Sequence, residues 1–156
     1  MKERIHRFDA RLIHALRHLE VPLARTAIAV VYIWFGALKL SGYSPAEALV
    51  TTLFEKTMFI DIPFATFYVL FALYEIAIGV LFMLKGWERI AIFLLAAHLV
   101  MTAMPLLLLP HMTWQGFLIP TLEGQYIIKN VLILSLAVGI GAKLIALADR
   151  YNDAQA

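Results

Sequence analysis

Four stretches of the chain are apolar over the length of a membrane crossing: about Val21 to Leu40, which contains the run AIAVVYIWFGAL, Pro63 to Leu84, Ile90 to Leu109, and Tyr126 to Ala148. A helix rising 1.5 Å per residue needs about 20 mostly apolar residues to cross the hydrocarbon core, and each stretch reaches that length. Only Lys85 to Arg89 separate the second from the third, so these two are expected as an antiparallel hairpin. The pattern differs over residues 3–20. There Ile5, Phe8, Leu12, Leu16 and Leu19 share one helical face, with Arg4, Arg7, Arg11, His14 and His18 elsewhere. A cationic amphipathic helix of this kind lies in the headgroup layer of an anionic leaflet or docks on a partner protein. After the first span, Ser44-Pro45-Ala46-Glu47 reads as a helix start: Ser44 caps, Pro45 suits the first helical position and Glu47 can close a capping box. A short helix from Pro45 to about Lys56 is expected along the surface, before Asp61-Ile62-Pro63 restarts the chain. The expected fold is all-α: an integral membrane four-helix bundle over residues 21–148, an N-terminal amphipathic interfacial helix over 1–20, a short outer interfacial helix, and a tail over 149–156.

Composition and charge orient this picture. The 156 residues suffice for one domain. Apolar residues make up 62% of the chain, against roughly 45–50% in soluble proteins, and the 15% that are charged leave long stretches without any. Of the 13 Lys and Arg, ten fall on one side: Lys2, Arg4, Arg7, Arg11, Arg17, Arg25, Lys85, Arg89, Lys143 and Arg150. The opposite loops hold Lys56, and Lys39 and Lys129 lie within spans. Basic flanks resist translocation, so both termini are expected on the cytoplasmic side of the cytoplasmic membrane, with a cytoplasmic tail. Tyr43, Trp114 and Tyr126 mark the far interface and Trp87 the near one. The pI near 9.0 does not imply nucleic acid, because the net charge is only +2 and the basic residues sit at membrane edges. The absence of cysteine excludes disulfides, thiol relays and Cys-ligated metals. The first 20 residues are charged throughout and contain no h-region, so the first span is expected to remain as an anchor.

Ionisable groups inside spans are costly and face the bundle interior, which makes their depth informative. Glu75 lies nine residues from Leu84 and His98 eight from Ile90, or ~13.5 Å and ~12 Å from the same surface. Tyr32 and Tyr74 fall at roughly 15–17 Å, completing one expected polar layer. Lys39 and Lys129 fall at roughly 25–29 Å. With Glu123 and Asn130 nearby they form a second, outer layer, either an anion or head-group site or a set of pairs with Glu47, Glu55, Asp61 or Glu123. Arg25, Ala29, Tyr32, Gly36 and Lys39 form one seam of the first span. Tyr68, Phe71, Glu75, Gly79 and Phe82 repeat it in the second, and Pro105 is expected to kink the third. Glu75 with His98 is either a pair that fixes helix register or, with a tyrosine, a proton-handling site of the kind a quinone needs. Imidazole is the side chain that ordinarily titrates near neutral pH, and a carboxylate can take a released proton. Haem is disfavoured, because no second His lies in a span, and no metal cluster, nucleotide loop or nucleophilic triad is present in the sequence.

The run Trp34-Phe35-Gly36-Ala37-Leu38-Lys39-Leu40, the pair Tyr74-Glu75 followed by Gly79, and Thr121-Leu122-Glu123-Gly124-Gln125-Tyr126 leading to Lys129-Asn130 resemble the DoxX-like family of small four-helix membrane proteins, including its DUF417-type relatives. The resemblance covers roughly residues 25–145. It implies a four-helix bundle associated with quinone-linked or oxidative-stress redox systems, and it bears on Gly36, Lys39, Glu75, Glu123, Lys129 and Asn130. The expected role is a quinone-associated subunit or accessory, with Glu75 and His98 handling protons and with Lys39, Lys129, Asn130, Glu123, Tyr32 and Tyr74 around the ligand. The alternative is a non-enzymatic scaffold that meets a membrane or peripheral redox partner through residues 1–20. A small solute transporter is a third class, and it requires a homo-oligomer.

Overall fold

The computed structural model describes residues 2–58 and 62–144, and over these the chain is helical apart from one short hairpin. The expected span end at Ala148, the tail over 149–156, Asp61 and Arg150 lie outside the described residues. In chain order the elements are α1 (Lys2–Leu40), α2 (Glu47–Thr57), α3 (Phe64–Met83), α4 (Glu88–Ala103), α5 (Pro105–Leu108), α6 (Pro110–Thr113), β1 (Trp114–Gly116), β2 (Ile119–Pro120) and α7 (Leu122–Gly141). Four segments are long and apolar enough to cross a membrane: Arg4–Leu40, Phe64–Met83, Glu88–Leu108 and Leu122–Gly141.

These four long helices pack pairwise: α1 on α3 and α7, and α4 on the same two. Ala24, Ile28, Tyr32, Ile78, Phe82, Ala91, Leu95, Ala137 and Ile140 meet between them. Their outward faces are apolar too, with Trp34, Phe93, Val100, Leu132 and Val138 exposed. An apolar outside around an apolar inside is the pattern of helices whose solvent is lipid.

Among the four long helices, α1 and α3 approach each other closely. A Cβ on Gly36 would stand 2.9 Å from the Ala72 carbonyl oxygen, and one on Gly79 would stand 3.0 Å from that of Ala29. Small residues let helix backbones approach closely, and here one glycine from each helix does so. The two contacts also fix the register. Gly36 lies level with Ala72 and Ile76, Gly79 with Ala29 and Ile33, so Leu84 at the end of α3 is level with Arg25 and not with Val21. Arg25 accordingly donates from Nε to the Phe82 carbonyl at 2.7 Å and from Nη1 to Glu88 at 2.5 Å, closing the N-terminal end of the assembly.

The structure departs from the sequence pattern in four places. First, residues 2–20 are not a separate element: α1 runs unbroken through Pro22 for 39 residues, roughly 58 Å. Residues 4–20 project beyond the other helices and are exposed on every side. Pro22 removes one hydrogen bond and crowds the carbonyl four residues back, but the flanking Ala, Leu, Arg and Glu are strong helix formers. Second, α2 begins at Glu47 with Ala46 at its cap and no side-chain capping bond there, while Ser44 Oγ accepts the Ala46 N–H at 3.3 Å. Third, the hydrogen-bond ladder is interrupted at the expected kink residue Pro105, although Met104 keeps helical angles (φ −53°, ψ −39°). Proline has no N–H for the Met101 carbonyl, which takes the Met104 N–H at 3.2 Å instead. Fourth, β1 and β2 pair Trp114 with Pro120 and Gly116 with Ile119, and Leu118 between them has φ 57°. Strands of three and two residues are too short to show alternation in a sequence.

Candidate functional site

Helical side chains lean toward the N-terminus of their own helix. In α1 this aims Lys39 away from α2, toward the interior, and in the antiparallel α3 it aims Glu75 the opposite way. The two converge: Lys39 Nζ donates to Glu75 Oε2 at 2.7 Å, with both side chains buried. The other carboxylate oxygen, Oε1, lies 3.1 Å from His98 Nε2, and His98 Nδ1 lies 3.0 Å from the Tyr32 hydroxyl. A carboxylate only accepts, so Nε2 carries the proton facing it. In the neutral ring Nδ1 is then the acceptor, and the Tyr32 hydroxyl donates to it. The result is one hydrogen-bonded chain, Tyr32–His98–Glu75–Lys39, drawn from α1, α3 and α4. It uses both carboxylate oxygens and both ring nitrogens.

Aromatic rings wall the chain. Phe71 stacks on the His98 ring at 5.2 Å and 14°, and the Lys39 ammonium stands 5.6 Å from the Phe71 centroid. Tyr32 and Tyr74 approach the imidazole from other sides at 5.1 and 5.9 Å. Tyr74 is held by its hydroxyl, which donates to the Leu94 carbonyl at 2.6 Å. Low polarity strengthens each hydrogen bond of such a network and raises the cost of breaking any one of them. Phe71 sits one turn before Glu75 on the seam read from the sequence, yet nothing in its spacing marked it as the ring over His98.

Of the residues singled out from sequence, the structure gathers Tyr32, Lys39, Tyr74, Glu75 and His98. It leaves three outside. Lys129 is exposed on α7 with its ammonium 5.4 Å from the Tyr126 ring. Glu123 is exposed, and Asn130 Nδ2 donates to Thr102 Oγ1 at 3.4 Å. Lys39 is buried against Glu75 and Lys129 is exposed, so the two do not converge on one site. In the register that Gly36 and Gly79 set, Lys39 lies about five residues, ~7.5 Å, closer to the level of Glu75 than a span beginning at Val21 implies. The length of the lysine side chain closes the remaining gap to Glu75.

The Thr121–Lys129 segment has a structural basis of its own. Thr121 caps α7 by accepting the Gly124 N–H at 3.1 Å, and its hydroxyl donates to the Met112 carbonyl at 2.7 Å. Gly124 packs directly on the Thr113 carbonyl oxygen, with no room for a Cβ. Among the described residues no group of three or more His, Asp and Glu side chains is placed to hold a metal ion. No family model, curated protein or solved structure matches the chain.

Proposed function

We propose that the chain is a DoxX-like, multi-pass four-helix bundle of the cytoplasmic membrane with both termini in the cytoplasm, and that it serves a redox system as a quinone-associated subunit or accessory. The observation that carries this reading is the chain Tyr32–His98–Glu75–Lys39 at the centre of an otherwise apolar assembly. A buried salt bridge is weak support for stability by itself. Extending it through an imidazole to a phenol adds a path along which a proton can move from oxygen to nitrogen to oxygen. Quinol oxidation releases two protons and two electrons. In this reading Glu75 and His98 take up the two protons, Lys39 neutralises the Glu75 carboxylate before uptake, and a partner redox protein takes the two electrons. Spectra and lipid extracts of the purified protein test it: co-purifying quinone is expected, and a Glu75→Gln variant should retain the quinone but lose respiratory or stress function. Protein free of quinone, with a Glu75→Gln variant indistinguishable in the cell, would remove the proposal.

A scaffold reading rests on a different observation. Ile5, Phe8, Leu12, Leu16 and Leu19 are exposed along the projecting part of α1, where a docking partner would cover them. Removing residues 1–20 should then abolish a stoichiometric partner recovered in mild detergent.

A further inference from the structure

Among the described residues, Tyr68 is buried, 7% exposed, and its hydroxyl makes no hydrogen bond in the protein. Phenylalanine already occupies positions 64, 67, 71 and 82 of α3, and a fifth would serve equally for packing. Tyr68 stacks on Phe64 at 5.2 Å, a contact that needs no hydroxyl. A buried donor without a partner costs about 1–3 kcal/mol, and hydrocarbon surroundings offer no water to relieve it.

The place to which this hydroxyl points is well defined. Tyr68 is two turns nearer the start of α3 than Glu75 and leans toward that end. Ser44 is the polar side chain next to it, and Ser44 Oγ accepts the Ala46 N–H while standing beyond hydrogen-bond distance of the phenol. Ser44 also lines a shallow open groove with Pro45, Glu47, Ala48, Thr51 and Thr52. Beside it Phe54 of α2 meets Phe64 and Phe67 of α3 at 5.5 and 4.8 Å, and all three rings are only half-buried. One unused donor and half-covered aromatic rings stand together where α2 meets the start of α3, and Ser44 links them to the groove.

We propose that Tyr68, with Phe54 and Phe64, forms a binding site for a membrane-soluble ring compound bearing a carbonyl oxygen, the phenol donating to that oxygen while the ring packs on the phenylalanines. The site rests on the quinone reading for the identity of its ligand, and it places the ring near α2, apart from the Lys39–Glu75 pair, whose carboxylate oxygens are both already engaged.

The test uses the full chain in detergent, with a decyl-substituted benzoquinone as probe and decylbenzene, which has the ring and tail without the oxygens, as competitor. Quenching of tryptophan fluorescence reads the affinity. Tyr68→Phe should weaken quinone binding about tenfold, the loss of one hydrogen bond, and leave competition by decylbenzene unchanged. Phe64→Leu should weaken both. In the absence of ligand Tyr68→Phe should melt no earlier than the parent, because it removes an unpartnered group. Quinone affinity within twofold of the parent in Tyr68→Phe overturns this site and, with saturable binding in the parent, leaves the quinone reading itself standing. Absence of saturable quenching in the parent overturns both.

Discussion

Lys39 and Glu75, 36 residues apart in the chain, are joined at 2.7 Å with both side chains buried. The pair ties the end of α1 to the middle of α3, and the second oxygen of Glu75 brings in α4 through His98. Removing one partner strands the other. Glu75→Leu should therefore lower stability by roughly 3–5 kcal/mol and Lys39→Met by a similar amount, whereas the double variant should recover the part due to the stranded charge. Thermal melts in detergent of the two single variants and the double variant check this as a cycle.

Glycines offer a contrast within one chain. A Cβ on Gly36 meets Ile76 Cγ1 at 2.7 Å and the Ala72 carbonyl at 2.9 Å, whereas one on Gly139 meets nothing within 4 Å. Gly36→Ala should cost about 1–3 kcal/mol, because backbone must move. Gly139→Ala should be neutral or stabilise by up to about 1 kcal/mol, since alanine is the better helix former. Melting temperatures of the two variants give the ranking directly.

The continuity of α1 through Pro22 predicts a distance. The chain has no cysteine, so a pair introduced at Leu12 and Val30 carries two spin labels and no others. A straight helix places these positions ~27 Å apart, and a right-angle bend at Pro22 brings them below ~20 Å. Pulsed electron spin resonance in bilayers distinguishes the two.

How far the sequence reveals this molecule depends on the element. The second span, expected at 63–84, is observed as α3 over Phe64–Met83, because an apolar run bounded by Pro63 and the Lys85-Gly86 turn has sharp ends. The start of α7 was placed at Tyr126, four residues late. Hydropathy cannot see a helix that begins on a Thr121 cap with polar residues in its first turn. Glu75 and His98 were matched in depth from their own hairpin, whose turn of Lys85 to Arg89 leaves little freedom of register. Lys39 was separated from Glu75 because the register of α1 against α3 is set by Gly36 and Gly79, and long-range backbone contact leaves no periodic trace in the chain. Helix content and four long apolar segments are thus legible, and the joining of Lys39 to the layer of Glu75 and His98 is not.

The most direct test of proton handling at this site is infrared difference spectroscopy of the purified protein while bound quinone is cycled electrochemically between its oxidised and reduced forms. Oxidation of the quinol should produce a carboxylic-acid carbonyl band that shifts on labelling glutamate with carbon-13 and is absent from Glu75→Gln. A carbonyl region that stays unchanged through the cycle, or a band that persists in Glu75→Gln, would contradict the account.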